Sequence, residues 1–98
     1  MRAFNVVKFR IKAGHEAAFL DAHRDGKARW PGLAHGAIIK TGDLAYCLIG
    51  EWSSAEALAA ARPAMIETLN TFRATLDEVA EGRGVTDAVS GSVVLDIA

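Results

Sequence analysis

Four polar side chains in this sequence could act on a small molecule if the fold brought them together. They are two histidines, a tyrosine and an asparagine: His23, His35, Tyr46 and Asn5. Trp52 adds an aromatic surface at the end of an apolar segment. An apolar pocket with a few convergent polar groups is the usual form of a small-molecule site. The sequence therefore predicts a pocket for a small apolar or aromatic ligand, provided that these residues share one side of the fold.

Other common chemistries lack their minimal residues. The sequence contains no glycine-rich phosphate loop, no His-x-x-x-His or Cys-x-x-Cys pair and no nucleophile elbow. The single Cys47 excludes an internal disulfide and a multi-cysteine metal site. We therefore predict no metal site and no nucleotide site.

Length and charge restrict the class of protein further. The chain has 98 residues, with 11 basic and 12 acidic side chains scattered without a run, so we expect one domain, residues 1–98, that binds neither nucleic acid nor a membrane. No segment approaches the ~20 apolar residues of a membrane span, and the charged N-terminus does not resemble a signal peptide. We expect a cytoplasmic protein. Because a domain of this size buries only ~60 to 65% of its unfolded surface, a partner subunit is plausible.

Hydrophobic periodicity predicts the order of the first elements. Helical spacing predicts a helix from His15 to Trp30, which Pro31-Gly32 would end. Gly42-Asp43 suits a type II′ turn between two strands. The predicted strands are Phe4 to Ile11, Leu33 to Thr41, Leu44 to Trp52 and, near the end of the chain, Val93 to Ile97.

The segment after Trp52 predicts two helical pieces. Ser53 and Glu56 have the spacing of a capping box, so we expect the first piece to begin at Ser53. Since Pro63 restricts the residue before it, we expect the helix to break at Arg62 and to restart at Pro63. The second piece would end at Gly82 and carry an apolar stripe made of Met65, Leu69, Phe72, Leu76 and Val79.

The resulting order, β-α-β-β-α-α-β, predicts an α+β protein with ferredoxin-like topology and a four-stranded antiparallel sheet. If a two-residue turn sets the register, the side of the sheet that faces the helices would carry His35, Tyr46, Leu48, Gly50 and Trp52. His23, on the apolar side of the first helix, and Asn5, in phase with Val7 and Phe9, would join them. The opposite face would be small and apolar, and we expect it to form a homodimer interface. Its predicted residues are Ala34, Gly36, Ile38, Ala45, Cys47 and Ile49.

Three segments resemble a known family. The opening VVKFRIKAGHEAAFLDAHR, the hairpin end YCLIGEWSSAEALAA and the overall order are similar to the antibiotic biosynthesis monooxygenase (ABM) family of the dimeric α+β barrel superfamily. The likeness covers about Phe4 to Phe72 and the closing strand, and Glu51-Trp52-Ser53-Ser54 is its most specific part. Members form homodimers whose two sheets build a barrel, with a pocket between sheet and helices in each subunit.

The resemblance implies a cofactor-independent monooxygenase acting on an aromatic or quinol-type substrate. His35 or His23 would be the catalytic base, because the unperturbed pKa of histidine is ~6.5. Tyr46 and Asn5 would hydrogen-bond the developing anion, and Trp52 would stack on the substrate ring. The alternative is a homodimer that binds a small molecule without turnover.

Two further observations limit this hypothesis. Some related proteins degrade haem with an asparagine on the first strand and a tryptophan and a histidine on the helix after the third strand. Asn5 could match the first, but Ala61 and Thr71 occupy the other two positions here, so we expect no haem cofactor. Each candidate residue also has a structural alternative: His23, Tyr46 and Trp52 could belong to the core or its rim, and Asn5 could satisfy backbone groups.

Overall fold

The computed structural model describes residues 1–79 and 84–98, and these form an antiparallel sheet with two helices. In chain order the elements are β1 (Ala3–Ile11), α1 (Glu16–Asp21), β2 (Leu33–Gly42), β3 (Ala45–Trp52), α2 (Ala55–Phe72), β4 (Leu76–Asp77) and β5 (Asp87–Ser92). A single 3₁₀ turn, Arg73–Thr75, joins α2 to β4. None of the helices in the described ranges is long and apolar enough to cross a bilayer.

The sheet is built around β1. One edge of β1 pairs with β3, which in turn pairs with β2. The other edge pairs with β5 along Ala3 to Lys8 and with β4 at Arg10 and Ile11. The α+β class and the ferredoxin-like arrangement are therefore confirmed, with a short fifth strand added to the four that were predicted.

The core lies between one face of this sheet and the helices. Its largest fully buried side chains are Trp52, Phe19 and Ile11. Phe19 makes edge contacts with Phe9 at 5.2 Å and with Phe72 at 5.4 Å between ring centroids. Such aromatic pairs contribute about 0.5–1.5 kcal/mol each beyond the area that they bury. Strand β1, α1 and the end of α2 are therefore held together by three phenylalanines.

The first helix is much shorter than predicted. It ends at Asp21, and the chain continues to Ala28 in turns, with backbone bonds such as Arg24 N–H to Asp21 O. Asp25 and Gly26 both adopt positive φ angles, 57° and 81°, which no helix accommodates. The helical spacing up to Trp30 therefore indicated burial of one side of the segment, not a continuous helix.

The predicted break at Arg62 is wrong, because α2 runs unbroken through Pro63. Its N-cap is Ser54, whose hydroxyl accepts the Ala57 N–H at 3.0 Å, so the helix begins one residue later than the predicted capping box. Pro63 cannot bond the carbonyl of Ala59, but both residues are exposed, and water can bond the orphaned carbonyl. The cost of the proline is therefore reduced by solvent, and the helix continues without a break.

Replacing Pro63 with alanine is expected to raise the free energy of unfolding by about 1–2 kcal/mol. Alanine restores the helical hydrogen bond, which stabilises the folded chain by up to ~3 kcal/mol. It also gives the unfolded chain more conformational freedom, which stabilises the unfolded state by ~0.4–1 kcal/mol. Urea unfolding measures the change, and Pro31→Ala, at an exposed proline outside the helices, isolates the entropy effect. A Pro63→Ala protein less stable than Pro31→Ala would contradict the continuous helix.

The hairpin between β2 and β3 has a different register from the predicted one. The turn residues are Asp43 and Leu44, with Leu44 at a φ of 58°, and Gly42 pairs with Ala45. An irregularity between Lys40 and Gly42 inserts one extra residue into β2. Because side chains alternate between faces, this one residue moves the β2 side chains from His35 to Lys40 to the face opposite the predicted one, while β3 keeps its predicted orientation. A second irregularity, between Leu33 and His35, leaves Leu33 paired with Trp52 on the side of the helices.

The end of the chain also departs from the prediction. The last strand is Asp87–Ser92, and residues 93–98 form no strand, with Val94 and Ile97 each 92% exposed. Of the predicted helical stripe, Leu76 is buried but belongs to β4. The predicted cap at Gly82 lies outside the described residues.

Candidate functional site

A cavity of about 270 Å³ lies between the sheet and α2. Side chains of β1, α2 and β5 form most of its wall, and the wall is largely apolar. The polar residues in the wall are Asn5, His23, Arg62, Thr86 and Ser90. This volume is slightly smaller than the ~300–1,000 Å³ of typical small-molecule pockets, so it suits a small ligand of about one to three rings.

Asn5 is fixed in one orientation at the base of the cavity. The indole Nε1–H of Trp52 donates to Asn5 Oδ1 at 2.7 Å, and both side chains are buried. Since the carbonyl end of the amide accepts this bond, the Nδ2 end is free to donate, and it has no hydrogen-bond partner within the described residues. Asn5 lines the cavity, so its amide is a donor available to a ligand.

Gly50 makes this arrangement possible. It lies directly opposite Asn5 in the pairing of β1 with β3. A Cβ at this position would stand 2.5 Å from Asn5 Oδ1 and 2.9 Å from Trp52 Nε1, closer than atoms that are not hydrogen-bonded can approach. The glycine therefore leaves room for the hydrogen bond that orients Asn5.

His23 lines the same cavity and contacts the aromatic core. Its ring lies 4.6 Å from that of Phe72 and 5.1 Å from that of Phe19. Nδ1 is 2.9 Å from the Phe19 carbonyl, which can only accept, so Nδ1 carries the proton and Nε2 keeps its lone pair. Burial lowers the pKa of His23 below its ordinary 6.5, although the bond to Phe19 acts in the opposite direction. His23 is therefore neutral at pH 7 and has one basic nitrogen.

The predicted position of His35 is wrong. Because of the extra residue in β2, His35 pairs with Glu51 and lies on the sheet face that turns away from the helices. It is exposed and does not line the cavity. The catalytic role expected for His35 depended on its facing the helices, so its position gives that role no support. The same shift places Gly36 and Ile38, predicted at the interface, on the side of the helices.

Tyr46 faces the helices as predicted, but its hydroxyl lies outside the cavity. Its ring is buried beside Phe19, at 5.4 Å, and its hydroxyl donates to the Glu16 carboxylate at the start of α1. Lys40 approaches the same carboxylate at 3.1 Å. Both groups hold the pKa of Glu16 below its usual value, the tyrosine by a hydrogen bond and the lysine by a hydrogen bond and its charge. In this structure Tyr46 attaches α1 to the sheet.

Titration of Tyr46 tests this arrangement directly, because the chain has one tyrosine. The hydrogen bond to Glu16, with burial and the carboxylate charge, raises the pKa of Tyr46 above its ordinary 10.0. We expect an ultraviolet titration of the phenol to show this and Glu16→Gln to move the midpoint back toward 10.0. Glu56→Gln, at an exposed carboxylate on α2, is the control. Equal midpoints in both variants would show that Glu16 does not bond the phenol.

Trp52 acts on the site through Asn5 and through a second tryptophan. It is fully buried and does not line the cavity, so the structure offers no surface of Trp52 for a substrate ring to stack on. Its indole stacks on that of Trp30, with centroids 6.3 Å apart and planes 17° apart. Trp30 does line the cavity, and Thr68 holds its Nε1–H at 3.0 Å. Trp30 is therefore the tryptophan that lines the site, together with Phe9 and Phe72, and none of these three was among the predicted site residues.

A second, more open hollow of about 430 Å³ adjoins the first. His23, Trp30 and Leu48 line both spaces, and the second is otherwise formed by β2, Leu20 of α1 and the turns after α1. Within residues 1–79 and 84–98, no three His, Cys, Asp or Glu side chains are grouped in a way that could hold a metal ion.

Comparison with solved structures identifies the fold. A Chloroflexus aurantiacus protein named for the antibiotic biosynthesis monooxygenases superposes with a TM-score of 0.72 and 15% identity, over 100% of this chain and 98% of that one. SnoaB, a cofactor-independent oxygenase from Streptomyces nogalater, superposes with a TM-score of 0.67 and 17% identity, over 98% of this chain and 96% of that one. Rv0793 from Mycobacterium tuberculosis superposes with a TM-score of 0.74 and 13% identity, over the whole of both chains.

Sequence comparisons give no such match. No protein-family model matches the chain, and no curated protein sequence does. At 12–17% identity the structural likeness establishes the architecture, in agreement with the resemblance of the segments before and after Trp52. The chain has the fold of the antibiotic biosynthesis monooxygenases.

Proposed function

We propose that this protein is a cofactor-independent oxygenase that acts on a small hydroxylated aromatic or quinol-type molecule in the cavity between the sheet and α2. One observation carries the proposal: a neutral histidine with a free basic nitrogen and an oriented asparagine amide line the same apolar cavity. The fold shared with SnoaB, a cofactor-independent oxygenase, supports the reaction class.

The chemistry requires a substrate that can itself reduce oxygen. His23 Nε2 would remove a proton from an anthrone-type CH₂ group, and the Asn5 amide would hydrogen-bond the resulting enolate oxygen. The enolate would give its electrons to molecular oxygen. One oxygen atom would become the new ring ketone, and the other would leave as water with the two hydrogens of the CH₂ group, so that each substrate consumes one O₂.

The apolar wall of the cavity would also contribute to this reaction. Exclusion of water would strengthen the hydrogen bond from Asn5 to the enolate, because electrostatic interactions are stronger at low dielectric. Trp30 would give the substrate ring a flat surface to pack against. His35 and Tyr46, predicted as base and hydrogen-bond donor, have no part in this mechanism because neither lines the cavity.

We further propose that the protein acts as a homodimer through the open face of the sheet. This face carries apolar side chains from several strands, including Phe4, Ile39 and Val89, which are 36%, 43% and 67% exposed. Apolar side chains near the C-terminus are exposed as well, at Val94, Leu95 and Ile97. Sedimentation equilibrium should give twice the chain mass of 10.4 kDa, and a monomer at micromolar concentration would contradict the dimer.

An oxygen electrode tests the reaction. The purified protein with anthrone should consume oxygen faster than anthrone in buffer alone, with one O₂ consumed per anthraquinone formed. Prior treatment with a metal chelator should leave the rate unchanged. Binding of anthrone without any acceleration would instead support a ligand-binding protein that does not catalyse the reaction.

A further inference from the structure

We infer that the natural ligand of the cavity carries a negative charge, so that the substrate class is a small aromatic carboxylate or a similar ring anion. The inference rests on the proposed function for the cavity being the binding site. It depends on Arg62, a residue that the reaction scheme does not use.

Arg62 interrupts an apolar stripe on α2. Because α2 runs unbroken through Pro63, the stripe has regular helical spacing, in alternating steps of four and three residues. Its members are Leu58, Arg62, Met65, Leu69 and Phe72, and all five line the cavity. An arginine in the middle of such a stripe is a charged group on the side of the helix that turns toward the sheet. Arg62 is exposed, so it stands at the mouth of the cavity.

The described wall of the cavity carries a single formally charged side chain. Arg62 is the only Arg, Lys, Asp or Glu side chain among the described residues that line it. It forms no hydrogen bond or ion pair with any other residue in the described ranges. Since no carboxylate competes for the guanidinium, its donors are available to a ligand.

The arrangement fits an elongated amphipathic molecule. Its ring would occupy the apolar part beside Trp30, and its anionic group would reach the mouth, where a guanidinium can bind a carboxylate through two parallel hydrogen bonds. Arg62 would be a specificity residue that selects and orients the substrate. The proton-abstracting group lies elsewhere in the wall, at His23.

Calorimetric titration with two matched probes tests the charge requirement. Naphthalene-2-carboxylate and naphthalene-2-carboxamide have the same ring and nearly the same shape, but only the first is charged at pH 7. We expect the carboxylate to bind about five- to tenfold more tightly, as a charge-assisted hydrogen bond that is partly open to solvent would provide. Arg62→Gln should abolish the preference and leave amide binding unchanged. Arg73→Gln, at an arginine that bonds Asn70 and does not line the cavity, should keep the preference for the carboxylate.

The possible outcomes separate the two proposals. Equal affinity of the native protein for both probes, or an unchanged preference in Arg62→Gln, would overturn the inference while the aromatic pocket stands. No binding of either probe would overturn both the inference and the proposed site. A carboxylate preference that depends on Arg62, together with no oxygen uptake, would uphold the inference and overturn only the oxygenase reaction.

Discussion

Replacing His23 with glutamine is expected to lower the rate of anthrone-dependent oxygen uptake by about 10²- to 10⁴-fold, the usual contribution of a positioned general base. Glutamine keeps a polar side chain of similar length but has no group that accepts a proton near neutral pH. The fold should survive, because His23 is only half-buried and lies at the edge of the phenylalanine cluster. An oxygen electrode and circular dichroism measure the two effects.

His15 and His35 provide the controls for this experiment. His15→Gln changes an exposed histidine before α1 whose side chain makes no capping bond, and the rate should stay within about twofold. His35→Gln changes the exposed histidine on the far side of the sheet and should behave in the same way. A large loss in His35→Gln with none in His23→Gln would contradict the assignment of the base.

The pH dependence of the native protein gives an independent readout of His23. A general base must be deprotonated, so the rate should fall as the pH decreases through the pKa of His23. Burial lowers this pKa below 6.5, and the acid limb of the profile should therefore have its midpoint below 6.5. An acid limb centred above 6.5 would indicate that some other group controls the rate.

Replacing Gly50 with alanine is expected to lower the free energy of unfolding by about 3 kcal/mol. Overpacking typically costs ~1–3 kcal/mol, and displacing the buried bond between Trp52 and Asn5 adds ~1–3 kcal/mol. The added methyl would meet both bonded atoms, Asn5 Oδ1 at 2.5 Å and Trp52 Nε1 at 2.9 Å, and buried groups have little freedom to move apart. Urea unfolding measures this loss.

Gly36→Ala is the matched control, because Gly36 pairs with Gly50 on the side of the helices and its added Cβ would meet Leu33 Cδ2 at 3.4 Å, an ordinary van der Waals contact. Its stability should change by less than ~0.5 kcal/mol. If Gly50→Ala were as stable as Gly36→Ala, the Asn5 amide could not be held as tightly as the structure indicates.

The fold could be predicted from the sequence because it depends on average patterns. Alternation in β1 and the apolar segments of the hairpin are repeated over many residues, so an error at one position does not alter the class. Burial of Phe72 and Leu76 likewise followed from the spacing of apolar residues, although Leu76 lies in a strand. The strand near the C-terminus was misplaced because β1 pairs with a segment rich in small and polar residues, DAVSGS.

The site was harder to predict because it depends on single residues. One extra residue near Thr41 moved His35 to the opposite face, and the short Gly42-Asp43 signal could not reveal it. The proline rule favoured a break at Pro63, although an exposed proline can remain within a helix. With that break assumed, Arg62 could not be placed on the stripe of Leu58 and Met65. The spacing of these residues was nevertheless in the sequence and would have identified Arg62 under a continuous helix.

A crystal structure of the protein with an unreactive hydroxynaphthalene bound would locate the substrate site. We expect the ring in the cavity between the sheet and α2, packed beside Trp30, with its oxygen within hydrogen-bond distance of Asn5 Nδ2 and the opposite edge of the ring facing His23 Nε2. A ligand bound on the opposite sheet face near His35, or bound in the cavity with its oxygen turned away from Asn5, would contradict the proposed site.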